Sequence, residues 1–448
     1  MKPDLKSQLA RLRRRVKRIE KNPPRPAFEQ EAGLRHISEM AGRLANGLAN
    51  GLASSHPQAP HPLAFEAPEH YDAEQVLDGQ VVENEFGKYF LQERFYPGHH
   101  RHGSVEISHL GELPGDWLTG ISRQSILPHD PSRWVFLDTE TTGLAGGTGT
   151  CAFLVGVGTI EDGGFRVRLF FMRDYDEESA MLAGLAEFLR WYDVLITYNG
   201  KAYDAPLLET RYRLLRKHFP LERMQHLDLL HGARQLWKLR AESCRLMQLE
   251  DEILGVFREG DLPGELIPYY YFEYLRTKQA FRLVPLFHHN VFDIVSLACL
   301  TAVVLPAFAS PAETTLQHGA DLLGLARWLR RHGENDSALG LYRRAVDAGL
   351  PDSKLFDALW ETAQLEKKQG RREAMLQIVC DLAQAENAYR REALIELAKH
   401  YEHHEKNLAL ALEMTDSARK VLSCPELARR RDRLEGRLQR RGKAEPML

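Results

Sequence analysis

Asp138 and Glu140 stand two residues apart at the end of the apolar run Trp134-Val135-Phe136-Leu137, just before the turn at Gly143. In a strand, residues two apart point to the same face, so the spacing predicts two carboxylates converging at a strand end. Paired anions need a cation between them, and hard oxygen ligands favour Mg²⁺ or Mn²⁺. Two other segments offer further acids. Val194-Leu195-Ile196-Thr197 reads as a short strand, and the polar turn after it holds Asp204. The stretch from Phe287 to Leu297 reads as the start of an amphipathic helix, in which Asp293 lies one turn after His289 and shares its face. Asp138, Glu140, Asp204 and Asp293 with a histidine complete a two-metal site on paper. In such sites one ion activates water and the other steadies the leaving oxygen.

Each acid taken alone has a plainer reading. Asp293 could be a helix N-terminal charge, Asp204 an N-cap, and Asp228 the cap of a following helix. Asp228 is left out of the metal set.

These residues need a scaffold. Strands are predicted at 134–138, 152–159, 164–171 and 194–198, with a helix near 177–191. The first three strands follow one another as an antiparallel meander would. The fourth comes after a helix, as a crossover to a parallel position would. Residues 204–306 read as mainly helical, with a short strand near 225–229. The Gly-rich turn 143–150 lacks a P-loop lysine and reads as a hairpin loop. Before this block, 68–133 reads as a β-rich lead-in. Its turn at His99, His100 and His102 has no neighbouring carboxylate or cysteine, and is expected to be a polar loop near the substrate path or the surface.

The chain has 448 residues, a net charge of −3 and five scattered cysteines with no CxxC pair, so a cytoplasmic setting is expected. No stretch approaches the ~20 apolar residues that span a bilayer, and no membrane partner is expected. The amino terminus has no apolar core of a secretory signal. Residues 1–25 carry ten Lys and Arg against Asp4 and Glu20. Such an arm either recruits a polyanion or is a solvated helix. Three organisational units are expected: a basic helix and flexible linker (1–62), the α/β domain with its lead-in (63–308), and a helical tail (315–448). In the tail, similar segments recur around Ala326, Ala363 and Ala398, at spacings of 37 and 35 residues. That period resembles tetratricopeptide repeats of ~34 residues and predicts a small solenoid able to hold a protein partner.

Asp138-Thr139-Glu140-Thr141-Thr142-Gly143, Asn199 to Asp204 with Tyr203 before the acid, and Asp293 resemble the motifs of the DEDD superfamily of 3′–5′ exonucleases. More narrowly, residues ~85–305 resemble YprB-type ribonuclease H-like proteins, which join this domain to a tetratricopeptide-like tail. His226 to His231 and Gly264 to Leu275 are family-like stretches. The resemblance implies a ribonuclease H-like mixed sheet flanked by helices, followed by an all-α repeat region. It implies two Mg²⁺ or Mn²⁺ ions held by Asp138, Glu140, Asp204 and Asp293, and a DNA or RNA substrate with a free 3′ end. Thr139, Thr142 and Leu144 would line the terminal nucleotide. Asn199 and Tyr203 would orient the second acid or touch the substrate. The family's base falls at either of two positions, and this chain has histidine at both. His289 is preferred because helical geometry sets it beside Asp293, and His288 is the alternative. A nuclease fold that only binds nucleic acid, or an adaptor acting through its helical repeats, is the competing function.

Overall fold

The computed structural model describes residues 72–122, 125–143, 149–161, 163–258 and 261–444. The basic arm, its linker and Leu144 lie outside the described residues.

The main sheet has seven strands: β1 (Gly79–Asn84), β2 (Gly87–Pro97), β5 (Trp134–Thr141), β6 (Ala152–Glu161), β7 (Gly164–Phe171), β8 (Val194–Thr197) and β9 (Gln225–Asp228). Their order is β1-β2-β7-β6-β5-β8-β9. The two short strands β3 (Arg101–His102) and β4 (Val105–Glu106) form a separate hairpin. β5, β6 and β7 are the expected antiparallel meander, and β8 joins β5 in parallel with Phe136 opposite Ile196. β9 then joins β8 in parallel, with Thr197 opposite Asp228. The lead-in contributes the β1–β2 hairpin to the far edge, where β2 pairs with β7. β5 and β8 are buried on both faces and read as unbroken apolar runs for that reason. Because β5, β8 and β9 are parallel, their carboxyl ends share one end of the sheet, the usual position for a site in an open α/β sheet.

The longer helices of this part are α1 (Glu178–Leu189), α2 (Asp204–Leu214), α3 (Leu229–Trp237), α4 (Ile267–Thr277) and α5 (Val284–Ala309). The 26-residue α5 packs on β5, β6 and β7. Two glycines on β6 let it approach. A Cβ at Gly156 would lie 1.9 Å from the Asn290 Oδ1, and one at Gly158 would lie 2.6 Å from Ile294. Asp138 is the strand partner of Gly156, so the same close approach sets α5 over the first acid.

Two expectations are corrected here. Ala280–Ala309 is long and apolar enough, by length and composition, to cross a membrane, and 72% of its apolar window is buried inside the protein. The polar cluster His288, His289, Asn290 and Asp293 masked this in the sequence by interrupting the run. For the same reason α5 is a core helix rather than an amphipathic one, with apolar residues on most of its circumference. After the turn at His99, which is exposed, the chain packs against α5. His102 is buried, its Nε2 lies 2.8 Å from Ser296 Oγ on α5, and burial pushes its pKa down to about 4.

The tail is a run of helices, α6 (Gly319–Arg331), α7 (Asn335–Ala348), α8 (Asp352–Lys368), α9 (Arg372–Gln384), α10 (Arg390–His403), α11 (Leu408–Val421) and α12 (Pro425–Ala444). Successive helices pack as hairpins around small residues such as Ala363, Ala393 and Ala418. The three similar sequence segments fall in α6, α8 and α10, the first helix of each hairpin. The tail is seated on the sheet domain. Asp321, 2% exposed, bonds Arg240 at 3.0 Å, and Trp328 packs edge-on to Phe308 at 4.6 Å.

Candidate active site

Asp138 and Glu140 close β5, and a β-bulge falls just after them. Glu140 pairs with Leu154 but Thr141 with Ala152, leaving Phe153 as the extra residue on β6. Bulges re-aim side chains at strand ends. Phe153 is held there by Tyr271 of α4, stacked on it at 3.9 Å.

Asp204 reaches the same end from the turn after β8. That turn is organised by Asp228, which accepts backbone N–H bonds from Asn199 (2.8 Å) and Lys201 (3.2 Å) and also caps α3 through Leu230 (3.1 Å). Asn199 takes a left-handed conformation with φ of +65°. Asp204 is the first residue of α2 rather than its cap, so its carboxylate is free to accept the hydroxyl of Thr139.

The third element is α5. Asn290 is fully buried, and its Nδ2 donates to Asp138 Oδ2 at 2.8 Å. His289 turns its Nε2 to within 3.6 Å of Asp293 Oδ2. Glu140, His289 and Asp293 each offer one ligand atom within 4.8 Å of one another. Asp138 and Asp204 border this triplet and act on it electrostatically. Burial, and then the charges of Asp293, Asp204 and Glu140, push the Asp138 carboxyl well above the usual range. Burial and then Asp293 do the same to Glu140. Burial raises Asp204 to about 6, against the hydrogen bond from Thr139.

Other expected residues take different places. His288 is exposed on α5, with the ring of Phe292 at 6.0 Å. One residue along a helix is a rotation of about 100°, which separates the two histidines. Tyr203 stands 64% exposed beside Asp204. Thr142 is occupied with Cys151, accepting its N–H at 3.0 Å and donating to its carbonyl at 2.9 Å, so it closes the neck of the 143–150 loop.

The sequence reading missed the cation of this site. Arg258, with a side chain 6% exposed, bonds Glu250 through two nitrogens (2.6 Å to Oε2), Asp261 at 3.0 Å, and Asp293. Asp261 in turn holds His289 Nδ1 at 2.9 Å. No spacing rule connects residue 258 to residue 293. The nearest signal was the polar stretch Arg258 to Asp261 just ahead of the family-like segment at Gly264.

The donor set fits a divalent ion. Asp138, Glu140, Asp204 and Asp293 are buried or half-buried, and the Arg258 guanidinium that bonds Asp293 is shared with Glu250 and Asp261, which leaves a surplus of negative charge that water cannot screen. The Asn290 Oδ1 is also buried without a partner, while its Nδ2 serves the acids. Carboxylate oxygens with one imidazole suit Mg²⁺ or Mn²⁺.

Residues 135–305 match the RNase H superfamily. The uncharacterized protein YprB of Bacillus subtilis (strain 168) is 33% identical over 340 residues, which cover 75% of this chain and 81% of that protein. The chain belongs to the YprB family. A mixed sheet flanked by helices is the RNase H-like fold, and in this chain a helical region follows it. The structure of the family B DNA polymerase from the hyperthermophilic archaeon Pyrobaculum calidifontis is 16% identical with a TM-score of 0.31. That alignment covers 55% of this chain and 34% of the polymerase, so this chain spans about a third of that protein.

Proposed function

We propose that this YprB-family protein is a divalent-metal-dependent nuclease that removes nucleotides from the 3′ end of a DNA or RNA strand. The observation that carries the reading is the under-neutralised acid cluster at the carboxyl ends of β5 and β8, with the His289 Nε2 facing it. A cluster kept only for stability would be expected to be charge-balanced.

In this reading Asp138, Glu140, Asp204 and Asp293 would hold two Mg²⁺ or Mn²⁺ ions. When bound, the ions supply a more acidic water and charge stabilisation at the departing 3′ oxygen. Asn290 keeps Asp138 turned inward, and Thr139 does the same for Asp204. His289 takes the proton released as the water oxygen attacks phosphorus opposite the 3′ oxygen. The new P–O bond replaces the P–O3′ bond, and a nucleoside 5′-monophosphate departs. Tyr203 is exposed where it could lie against the terminal nucleotide. The 3′–5′ direction follows from the likeness of the three acid motifs to DEDD exonucleases. The tail, read as tetratricopeptide-like repeats, would bring a protein partner to the nuclease.

The test is degradation of 5′-labelled single-stranded DNA and RNA in Mn²⁺, Mg²⁺ or EDTA, with Asp138→Asn and Asp293→Asn alongside. A metal-dependent ladder shortening from the 3′ end, lost in both variants, is the expected result. Binding without cleavage in any metal, unchanged in the variants, would sink the reading and leave a binding or adaptor protein.

A further inference from the structure

We infer that Asp261, braced by Arg258, is the positioning residue that fixes His289 in the tautomer whose Nε2 lone pair faces Glu140 and Asp293. The catalytic consequence rests on the nuclease reading above, but the tautomer does not.

A neutral imidazole carries one ring proton, and the partner of each nitrogen decides where it sits. His289 Nδ1 lies 2.9 and 3.0 Å from the two Asp261 oxygens. An ionised carboxylate only accepts, so Nδ1 must donate. Although burial opposes it, the hydrogen bonds from His289 and Arg258 hold the Asp261 carboxyl below its ordinary range. Arg258 Nη1 also comes within 3.3 Å of Nδ1, but Asp261 Oδ2 is nearer at 3.0 Å and has lone pairs to offer. Nη1 carries two protons, so its bond to Asp261 does not by itself exclude one to Nδ1. What excludes it is that an Nδ1 lone pair would face the two carboxylate oxygens at 2.9 and 3.0 Å, so Nδ1 donates and Arg258 keeps only the longer approach. With the proton on Nδ1, the Nε2 that lies 3.6 Å from Asp293 Oδ2 has a free lone pair.

Arg258 is itself immobilised. Its Nη2 and Nε bond Glu250, which is fully buried, and Phe292 lies under the guanidinium at 4.6 Å. The brace thus runs from a buried acid through the arginine to Asp261 and on to the histidine. Outer carboxylates that hold a histidine in this way set both its tautomer and its ring orientation. Without Asp261, a hydrogen bond from Nε2–H to Asp293 would be the default, and the lone pair would point away from the site. His288 has no such partner among the described residues and stays exposed.

The experiment is ¹⁵N NMR of the histidine side chains in the metal-free full chain at mildly alkaline pH. The His289 signals are identified by their loss in His289→Gln. The wild type is expected to show a protonated Nδ1 and a bare Nε2. Asp261→Asn keeps the shape, but Arg258 holds its amide oxygen, so its amide N–H faces Nδ1 and the proton moves to Nε2. Asp261→Ala, the second variant, removes the acceptor and also shifts the proton to Nε2. Each variant should lower kcat for an oligonucleotide by about 10–100-fold with KM little changed. A wild-type His289 protonated on Nε2, or a tautomer unmoved in both variants, overturns the inference. An inactive wild type with the expected tautomer would instead overturn only the nuclease reading.

Discussion

Two regions of this protein bury carboxylates, and they neutralise them in opposite ways. In the tail, Glu402 on α10 has a side chain with no exposed surface and meets Arg430 (2.8 Å), Arg433 (2.9 Å) and Arg437 (2.8 Å) of α12. Although burial opposes it, the arginines hold that carboxyl below its ordinary range. At the sheet end, Arg258 bonds Asp293 but is shared with Glu250 and Asp261, and Asp138 and Glu140 are pushed far above their ordinary range. Glu402 pins the last helix to its neighbours. The sheet-end cluster is left short of positive charge. An acid whose charge is matched is architecture, and an acid whose charge is unmatched marks a place for a cation.

That contrast can be broken in graded ways. The largest expected effect is on cleavage. Asp138→Asn or Asp293→Asn should lower it by on the order of 10³-fold or more. Asp138→Asn should do so with no loss of thermal stability in EDTA, because a like charge has been removed, whereas Asp293→Asn also takes a counter-charge from Arg258 and should lose some. A variant that melts early yet still cleaves would place these acids with Glu402 as architecture.

Next come the adjacent histidines. His289→Gln should lower kcat by roughly 10²–10⁴-fold, the usual worth of a positioned base. His288→Gln should stay within about twofold of wild type, because its ring is exposed and points away. Equal losses in single-turnover assays would remove the distinction.

The two regions should also respond to pH with opposite sign. Asp204, raised to about 6, stabilises the metal-free fold fully below the unfolded carboxyl value of about 3.9 and loses that contribution as pH rises through 6. Asp138 and Glu140 act in the same direction. Glu402, held low, contributes above about pH 4.3 and loses its share as pH falls. Mn²⁺ should therefore raise Tm near neutral pH, by about 2.7 kcal/mol of stability at one hundred times Kd, and have little effect near pH 4. Calorimetry showing an equal shift at both pH values would contradict a metal held by these acids.

The smallest effect belongs to the tail. Glu402→Gln should cost about 1–2 kcal/mol, since two of its arginines are nearly half exposed and can be solvated. Cleavage of a short oligonucleotide should be unchanged. Urea melts and the labelled-strand assay, run on the same preparation, check both halves.

Much of the sheet was legible because its information is local. Apolar runs bounded by turns marked β5 to β8, and their order along the chain separated the antiparallel meander from the parallel crossover. The short strand near 225–229 appears as β9. The β1–β2 hairpin was only a vague lead-in, because its attachment to β7 depends on pairing across more than sixty residues of chain. The burial of His102 was not legible for a related reason. His102 is buried by Ser296, which no local pattern ties to it.

For the site, periodicity alone determined that Asp138 and Glu140 share a face and that His289 and Asp293 share another, since two and four residues match the repeats of a strand and a helix. Tertiary structure decided the rest. The glycines of β6 set how closely α5 approaches, and that approach sends Asn290 to Asp138 and turns His289 rather than His288 toward the acids. The clamp of Arg258 and Asp261 likewise exists only once a distant loop has docked. A repeat of two or 3.6 residues is written into neighbouring side chains, whereas a charge meeting its partner across 35 positions depends on the packing of everything between them.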